Sequence, residues 1–327
     1  MSNAQGTKAI WFTWEKQRRN RSMANAVGAR LEELEFKGGK LSRYWALGRK
    51  TFGIVRREKP AIIYFQNPSI VLATLIVTMK VLRFTRATIV GDYHNAGVHP
   101  PVARFLVPWL VRNADLTIVS NGNLAAVVES MGGRAVPMPD PIPALEPAID
   151  RPANLSFDVL FVCSWADDEP IAEVLRAAQS LLGSEPGLTV SITGRPKLEK
   201  IGWRDAVPAN VKLTGFLSEH DFDHKLTHAD AILDLTTRAD CMVCGAYEAA
   251  AAEVPMILSD NPPTREYFSK GALFTDNSAA SIAALIREMR AQHARFRREV
   301  VEIKQHILQR EQDGFARLAA LVNAPAA

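Results

Sequence analysis

Short apolar runs alternate with segments of helical spacing along most of the chain. Strands that alternate with helices in this way form parallel sheets covered by helices. The predicted strands are residues 8–15, 61–65, 87–90 and 115–120 in the first half, and 157–163, 188–192, 211–216, 229–235, 256–258 and 272–274 in the second. The pattern therefore predicts an α/β fold.

Helical spacing and end signals define the segments between these strands. Ser22 and Ser218 are placed to cap helices, and Pro170 suits the first turn of another. The longer predicted helices are residues 22–36, 69–83, 101–113, 121–131, 171–182, 278–289 and 294–322. The last helix has sparse apolar positions, so we expect it to lie across the surface and its end to return to the first domain.

A proline-rich stretch divides the alternation into two similar halves. Prolines recur from Pro137 to Pro152, where neither a helix interior nor a central strand tolerates them. A chain of 327 residues is long enough for two domains. We predict domains at residues 1–145 and 146–305, with residues 306–327 as a closing helix.

Composition narrows the class of protein. The chain is 47% apolar and 23% charged, as in ordinary globular proteins. Three cysteines, one isolated and two spaced as Cys241-x-x-Cys244, form no disulfide framework or complete zinc site. The longest apolar stretch, residues 70–77, is too short to span a bilayer, and no secretory signal is recognised. We therefore predict a cytoplasmic protein with reduced cysteines and no metal.

Charge is divided unevenly between the halves. Residues 1–150 contain 20 Lys and Arg against 11 Asp and Glu, whereas residues 151–327 contain 19 against 24. A basic half can contact nucleic acid or an anionic membrane, or can simply be solvated. The basic residues are not interleaved with stacking aromatic side chains, which argues against nucleic acid.

One strand of the first half ends in a loop with three chemically capable side chains, Asp92, Tyr93 and His94. Such loops often carry chemistry, and a histidine can transfer protons near neutral pH. Alternatively, the Asp or His only hydrogen-bonds the backbone of the turn. The residues alone leave both readings open.

Residues 236–260 follow a predicted strand with a polar loop, a helix of small residues and another strand. Glu248 is the one carboxylate in that helix, among Gly245, Ala246 and several further alanines. Burying an unpaired charge is costly, so Glu248 needs a partner. Ligand hydroxyls are one candidate partner, and exposure to solvent at a helix edge is the alternative.

The combination of two such domains, a proline-rich hinge and a closing helix resembles the GT-B glycosyltransferases. The resemblance is closest to the retaining family-4 nucleotide-sugar transferases, which carry an acidic residue, seven others and then a Glu. Asp240 and Glu248 meet this spacing, with Asp in place of the usual first Glu. The similarity is strongest over residues 229–260 and 267–286. It implies two Rossmann-like parallel-sheet domains facing a cleft.

The resemblance also implies roles in binding the donor. Glu248 would hold the donor ribose, and Asp240 would lie near the transferred sugar. Backbone N–H groups at Cys244 and Gly245 would face the diphosphate at the start of the helix. The donor would be a nucleoside-diphosphate sugar, UDP- or GDP-linked, and no separate cofactor is implied.

The chain departs from the family where a basic pair normally neutralises the diphosphate. The corresponding loop, residues 164–170, is acidic. Arg195 or Arg238 could take over this task, because Arg matches phosphate geometry well. Either could instead pair with Asp167 or Asp168.

In the first domain, the resemblance implies an acceptor pocket lined by His94 or Asp92. The acceptor would be a glycan or a lipid-linked molecule. A basic domain with Lys80, Arg83 and Arg86 after an apolar helix agrees with peripheral attachment to the inner face of an anionic membrane.

The predicted function is thus transfer of a sugar, with retention, in cell-surface or exopolysaccharide biosynthesis. One alternative is a nucleotide-sugar 2-epimerase on the same scaffold. The other is a binding subunit that has lost activity, which the acidic loop at 167–169 favours.

Overall fold

The computed structural model of the chain describes residues 9–67, 69–93, 95–100, 102–147 and 156–323. It divides into two compact units, which we describe separately. Unit 1 comprises Met1–Pro141 and Gln309–Ala327, and unit 2 comprises Ile142–Leu308.

Unit 1 is built on a parallel sheet of six strands in the order β2-β1-β3-β4-β5-β6. Its strands are β1 (Ala9–Thr13), β2 (Arg30–Glu33), β3 (Ile62–Asn67), β4 (Thr88–Tyr93), β5 (Leu116–Val119) and β6 (Ala135–Pro137). Its helices are α1 (Arg18–Ala26), α2 (Lys40–Glu58), α3 (Ile70–Val81), α4 (Asn95–Val98), α5 (Val107–Asn113) and α6 (Gly122–Ser130), with a 3₁₀ turn at Arg104–Leu106.

Unit 2 contains a second parallel six-stranded sheet, in the order β12-β11-β10-β7-β8-β9. Its strands are β7 (Phe157–Phe161), β8 (Leu188–Thr193), β9 (Val211–Gly215), β10 (Ala231–Asp234), β11 (Met256–Ser259) and β12 (Ala272–Thr275). Its helices are α7 (Ile171–Leu181), α8 (Glu219–Thr227), α9 (Cys244–Ala251), α10 (Pro262–Tyr267) and α11 (Ala279–Ala291). The last helix, α12 (His293–Asn323), begins in unit 2 and ends in unit 1. The predicted α/β class is confirmed in both units.

The strand order identifies where each sheet can bind a ligand. In a doubly wound sheet, ligands bind outside the carboxyl ends of the strands, where the order reverses direction. This point lies between β1 and β3 in unit 1, and between β7 and β10 in unit 2. In unit 2 the loops after β7 and β10 therefore border the expected binding crevice.

Two element predictions are wrong for reasons that the structure explains. The predicted helix over 22–36 is α1 followed by β2, because Gly28 adopts a φ of +64° and residues 30–33 pair with β1. The last helix is also less peripheral than expected. Val300 and Ile307 are fully buried in the core of unit 2, and Leu318 is buried in that of unit 1.

No helix in the described part of the chain is long and apolar enough to cross a bilayer.

A buried ion pair stabilises the carboxyl edge of the first sheet. Asp92, in β4, is 1% exposed and accepts hydrogen bonds from Arg19 Nε at 3.0 Å and Arg19 Nη2 at 2.7 Å. Arg19 belongs to the first turn of α1 and also contacts Asp140. The two carboxylates therefore join α1, β4 and the segment after β6 through one guanidinium.

Asp92→Asn should lower the free energy of unfolding by about 3–5 kcal/mol, since removing one partner of a buried pair weakens compensation of the other charge. Urea denaturation would measure the loss. Glu35→Gln is the matched control, because the Glu35–Lys16 pair is exposed on both sides and its loss should leave stability unchanged. Equal midpoints for Asp92→Asn and the unsubstituted protein would contradict this assignment.

Candidate functional site

The end of β10 is tied to the start of α9 by a buried carboxylate. Asp234, the last residue of β10, is 8% exposed and accepts a hydrogen bond from the Gly245 backbone N–H at 2.7 Å. A Cβ atom at position 245 would lie 2.5 Å from the Asp234 carboxylate oxygen. Only glycine allows this approach, so the pair fixes where α9 begins.

The Asp234 carboxylate is in an unfavourable place for a negative charge. Burial raises its pKa well above the ordinary value of 3.8, and the nearby charges of Glu248, Glu169 and Asp168 raise it further. The Gly245 N–H acts in the opposite direction by stabilising the ionised form. Sequence analysis did not select Asp234, although an acidic residue inside the apolar run 229–235 was an available signal.

The acidic loop after β7 is largely folded around its own glutamate. The Glu169 carboxylate accepts hydrogen bonds from the backbone N–H groups of Ser164, at 2.9 Å, and Ala166, at 2.7 Å, and from the Ser164 hydroxyl at 3.0 Å. Trp165 is buried within the same loop, and its indole N–H donates to the Thr193 carbonyl at 2.8 Å. Glu169 thus has a structural role in the loop.

Asp168 connects this loop to the one after β10. Its carboxylate accepts from the Thr236 hydroxyl at 2.7 Å and pairs with Arg238 Nη2 at 2.9 Å. Its carbonyl accepts from the Thr237 N–H at 2.8 Å. Arg238 therefore pairs with Asp168, which is one of the two arrangements expected from the sequence, while its side chain remains half exposed.

A cavity of about 450 Å³ opens at the carboxyl ends of β10, β11 and β12. Arg238 and Asp240, two of the predicted site residues, line it. Most of the other lining residues carry a hydroxyl, amide or carboxylate group, and they lie at residues 236–237, 259–261 and 275–277. Such groups can hydrogen-bond the hydroxyls of a sugar.

Hydrogen bonds between loops hold the wall of this cavity. The Ser259 hydroxyl accepts from the Thr236 N–H at 2.9 Å and donates to Asn277 Oδ1 at 2.7 Å. Asn277 Nδ2 in turn donates to the Thr236 carbonyl at 3.1 Å. The three strand ends are therefore cross-connected before any ligand binds.

Glu248 lies one turn beyond Cys244 and Gly245 on α9. It is half-buried, while Ala246, Tyr247 and Ala249 beside it are buried. Cys244 is exposed in the first turn. The structure thus brings Glu248 and Asp240 to the two ends of one loop–helix segment, and the Gly245 N–H that was assigned to a diphosphate is donated to Asp234.

One basic side chain of the loop after β8 reaches the β7 loop. Lys197 Nζ donates to the Trp165 carbonyl at 3.3 Å, whereas Arg195 is exposed and lies over the Phe216 ring at 5.8 Å. Gly194 adopts a φ of +81° and leaves no room for a Cβ beside Cys163. Lys197 was missed from the sequence because its position depends on this contact between two loops.

Of the two site residues predicted in the first half, the structure describes Asp92 but not His94. Asp92 is buried in its pair with Arg19, and an acceptor-side role for it stays a prediction. His94 lies outside the described residues. Among the described residues, no group of three His, Cys, Asp or Glu side chains is placed to hold a metal ion.

Asp234→Asn should make stability less dependent on pH. Because the pKa of Asp234 is raised in the folded state, its stabilising contribution is full below its ordinary value of 3.8 and is lost as pH rises through the folded-state pKa. The Asn variant keeps an acceptor for Gly245 and should be the more stable protein near neutral pH, by about 1.4 kcal/mol for each pKa unit. This advantage should shrink as pH falls toward about 4.

Urea denaturation between weakly acidic and neutral pH would test the prediction for Asp234. Asp205→Asn, at an exposed position, is the control for the substitution itself. A pH-independent difference between Asp234→Asn and the unsubstituted protein would contradict the raised pKa of Asp234.

Part of the chain matches a known protein family. Residues 152–304 match the family model described as glycosyl transferases group 1. No curated protein sequence matches the chain significantly.

Solved structures resemble the whole fold. Anabaena HepE, in complex with UDP and glucose, matches with a TM-score of 0.71 and 12% identity over 96% of this chain and 100% of that chain. A glycosyltransferase from Rickettsia africae matches with a TM-score of 0.65 and 9% identity over 93% and 86%. The pneumococcal O-GlcNAc transferase GtfA, in complex with UDP and GlcNAc, matches with 0.61 and 15% over 85% and 59%.

At these identities the structural likeness establishes the fold alone. The chain has the fold of the GT-B glycosyltransferases, and its residues 152–304 match the family model of the glycosyl transferases group 1.

Proposed function

We propose that this chain transfers a sugar from a nucleoside diphosphate, with UDP as the preferred nucleotide, to an acceptor hydroxyl. The observation that carries the proposal is the segment joining β10 to α9. Its loop lines a cavity with Arg238 and Asp240, and its helix presents the half-buried Glu248. The segment lies within the residues that match the glycosyl transferases group 1 family, and the complexes of HepE and GtfA contain UDP.

Glu248 and Asp240 recognise different parts of the donor. A half-buried carboxylate such as that of Glu248 can accept hydrogen bonds from both ribose hydroxyls. Asp240 faces the cavity, where the transferred sugar would be surrounded by hydroxyl and amide groups. These are the roles that the acid–seven–Glu spacing implied for the two residues.

The reaction requires stabilisation of the leaving diphosphate. The bond between C1 of the sugar and the phosphate oxygen breaks, a bond from C1 to the acceptor oxygen forms, and the proton of the acceptor hydroxyl leaves with the diphosphate. We expect Arg238, which pairs with Asp168, and Lys197, which contacts the Trp165 carbonyl, to stabilise this charge. Preorganised charges of this kind are a large term in catalysis.

The acceptor is a glycan or a lipid-linked molecule, and transfer proceeds with retention, in cell-surface or exopolysaccharide biosynthesis. Retention is supported by the spacing of Asp240 and Glu248. A lipid-linked acceptor is supported by the basic character of residues 1–150, which suits peripheral contact with an anionic membrane from the cytoplasmic side.

The acidic loop no longer favours a binding subunit without activity. The alternative of an inactive binding subunit was based on the acidic residues of the loop after β7, where the family carries basic residues. Glu169 is engaged by N–H and O–H groups of its own loop, and Asp168 positions Arg238. Both carboxylates therefore have structural roles that are compatible with a working donor site.

Glu248→Gln should bind UDP at least about tenfold more weakly, because a neutral amide replaces a charged acceptor of two hydroxyl groups. Calorimetry with UDP would measure the change. Glu266→Gln, at an exposed position of the short helix α10, is the control and should bind UDP normally. Unaltered affinity in a folded Glu248→Gln protein would overturn the assignment.

Lys197→Met should weaken UDP binding by about tenfold and leave binding of uridine almost unchanged, because the ammonium acts on the diphosphate. Lys200→Met is the matched control, since Lys200 pairs with the exposed Asp167. Equal losses for UDP and uridine would show that Lys197 supports the loop rather than the phosphates.

A further inference from the structure

Helix α2 presents a basic and apolar stripe that the packing of unit 1 does not use. Leu41 and Trp45 are 86% and 71% exposed, although both are large apolar side chains. Arg49 continues the same line one turn later, and its guanidinium lies over the Trp45 ring at 5.7 Å. Residues four apart share one face of a helix, so these three side chains form a continuous stripe.

The opposite face of α2 belongs to the core. Leu47, Thr51, Ile54 and Val55 are buried. The helix is therefore already anchored to unit 1, and the exposed stripe contributes nothing to that packing. Exposed apolar residues that lie together in this way mark surfaces that contact something else.

The charge of the helix indicates what it contacts. Within Lys40–Glu58, six residues are Lys or Arg, and Glu58 is the single acidic residue. In the described part of the chain, Lys37, Lys40, Arg49 and Lys50 take part in no ion pair. A basic helix with Trp and Leu on its outer face suits the headgroup region of an anionic bilayer, where Trp is favoured and cations meet negative lipids.

Contacts of the first turns place this surface at a defined edge of the sheet. Arg43 Nη2 donates to the Trp14 carbonyl at 2.8 Å, and the rings of Tyr44 and Trp14 are 6.3 Å apart. Trp14 directly follows β1, so the start of α2 is held at the carboxyl edge of the sheet. That is the edge at which parallel sheets bind ligands.

The basic cluster predicted from the sequence is a weaker candidate for the same task. Lys80 is paired with Asp115. Phe84, the aromatic residue beside the cluster, packs edge-on against Phe52 at 5.7 Å and lies under the Arg56 guanidinium. Some of its charge and apolar surface is therefore already engaged within unit 1.

We propose that the stripe formed by Leu41, Trp45 and Arg49, with Lys37 and Lys40 beside it, docks unit 1 on an anionic lipid bilayer. The apolar side chains enter the interface and the basic ones bind lipid phosphates. This docking would hold the ligand-binding edge of the first sheet close to lipid-anchored molecules. This docking does not depend on sugar transfer, because the stripe belongs to unit 1 and the segment joining β10 to α9 belongs to unit 2.

Vesicle sedimentation tests the docking surface. The full-length protein should bind vesicles of phosphatidylcholine containing about one third phosphatidylglycerol, and should bind phosphatidylcholine alone much more weakly. The double variant Leu41→Ser, Trp45→Ser should lose about tenfold or more of its partitioning. The double variant Lys40→Glu, Arg49→Glu should lose the preference for anionic lipid. High salt should have the same effect on the unsubstituted protein, because it screens the charges.

Two control variants separate this surface from others. Leu82→Ser, Arg83→Glu alters the cluster predicted from the sequence, and Leu182→Ser alters an exposed apolar position of unit 2. Both should bind anionic vesicles within about twofold of the unsubstituted protein. Circular dichroism would establish that each variant is folded, and calorimetry with UDP would report on the donor site independently.

Several results would contradict docking on the bilayer through α2. Absence of binding by the unsubstituted protein to anionic vesicles would assign the stripe to a protein partner instead. Full binding by Leu41→Ser, Trp45→Ser, or its loss in the Leu82→Ser, Arg83→Glu protein, would move the contact away from α2. Normal UDP binding in any of these cases would leave the donor site standing.

Discussion

The segment joining β10 to α9 depends on one hydrogen bond, from the Gly245 N–H to the buried carboxylate of Asp234. It joins the last residue of β10 to the first turn of α9, and it is possible only because position 245 has no side chain. The loop between them is therefore held at both ends. Asp240 and Glu248 owe their relative placement to that constraint. The geometry comes at an electrostatic cost, since burial raises the pKa of Asp234 well above its ordinary range.

The carboxylates of the loop after β7 in unit 2 have hydrogen-bond or ion-pair partners. Glu169 is surrounded by donors of its own loop, and Asp168 holds Arg238. The nearby basic residues Lys197 and Arg238 belong to the loops after β8 and β10, and not to the loop after β7. A diphosphate entering this crevice would meet Lys197 and Arg238 beside carboxylates that are already satisfied. The proposed donor site therefore takes its cations from the loops after β8 and β10.

The fold was predictable because its signal is local. Alternating apolar runs and helical spacing predict strands and helices, and parallel order follows from their alternation. Arg30–Glu33 was missed because Leu31-Glu32-Glu33-Leu34 favours a helix locally, and pairing with β1 overrides that preference. The site was predictable only in part. The spacing of Asp240 and Glu248 is visible in the sequence, whereas Lys197 and Trp165 are 32 positions apart and meet through loop packing.

Hydrogen–deuterium exchange with and without UDP would test most directly whether the segment from β10 to α9 binds the donor. Binding should slow exchange in peptides covering residues 236–251 and in the β7 loop at 163–170, since ligand contacts suppress local opening there. Peptides from the strands of unit 1 should change little. Protection confined to other parts of the chain, with these two segments unaffected, would contradict the account.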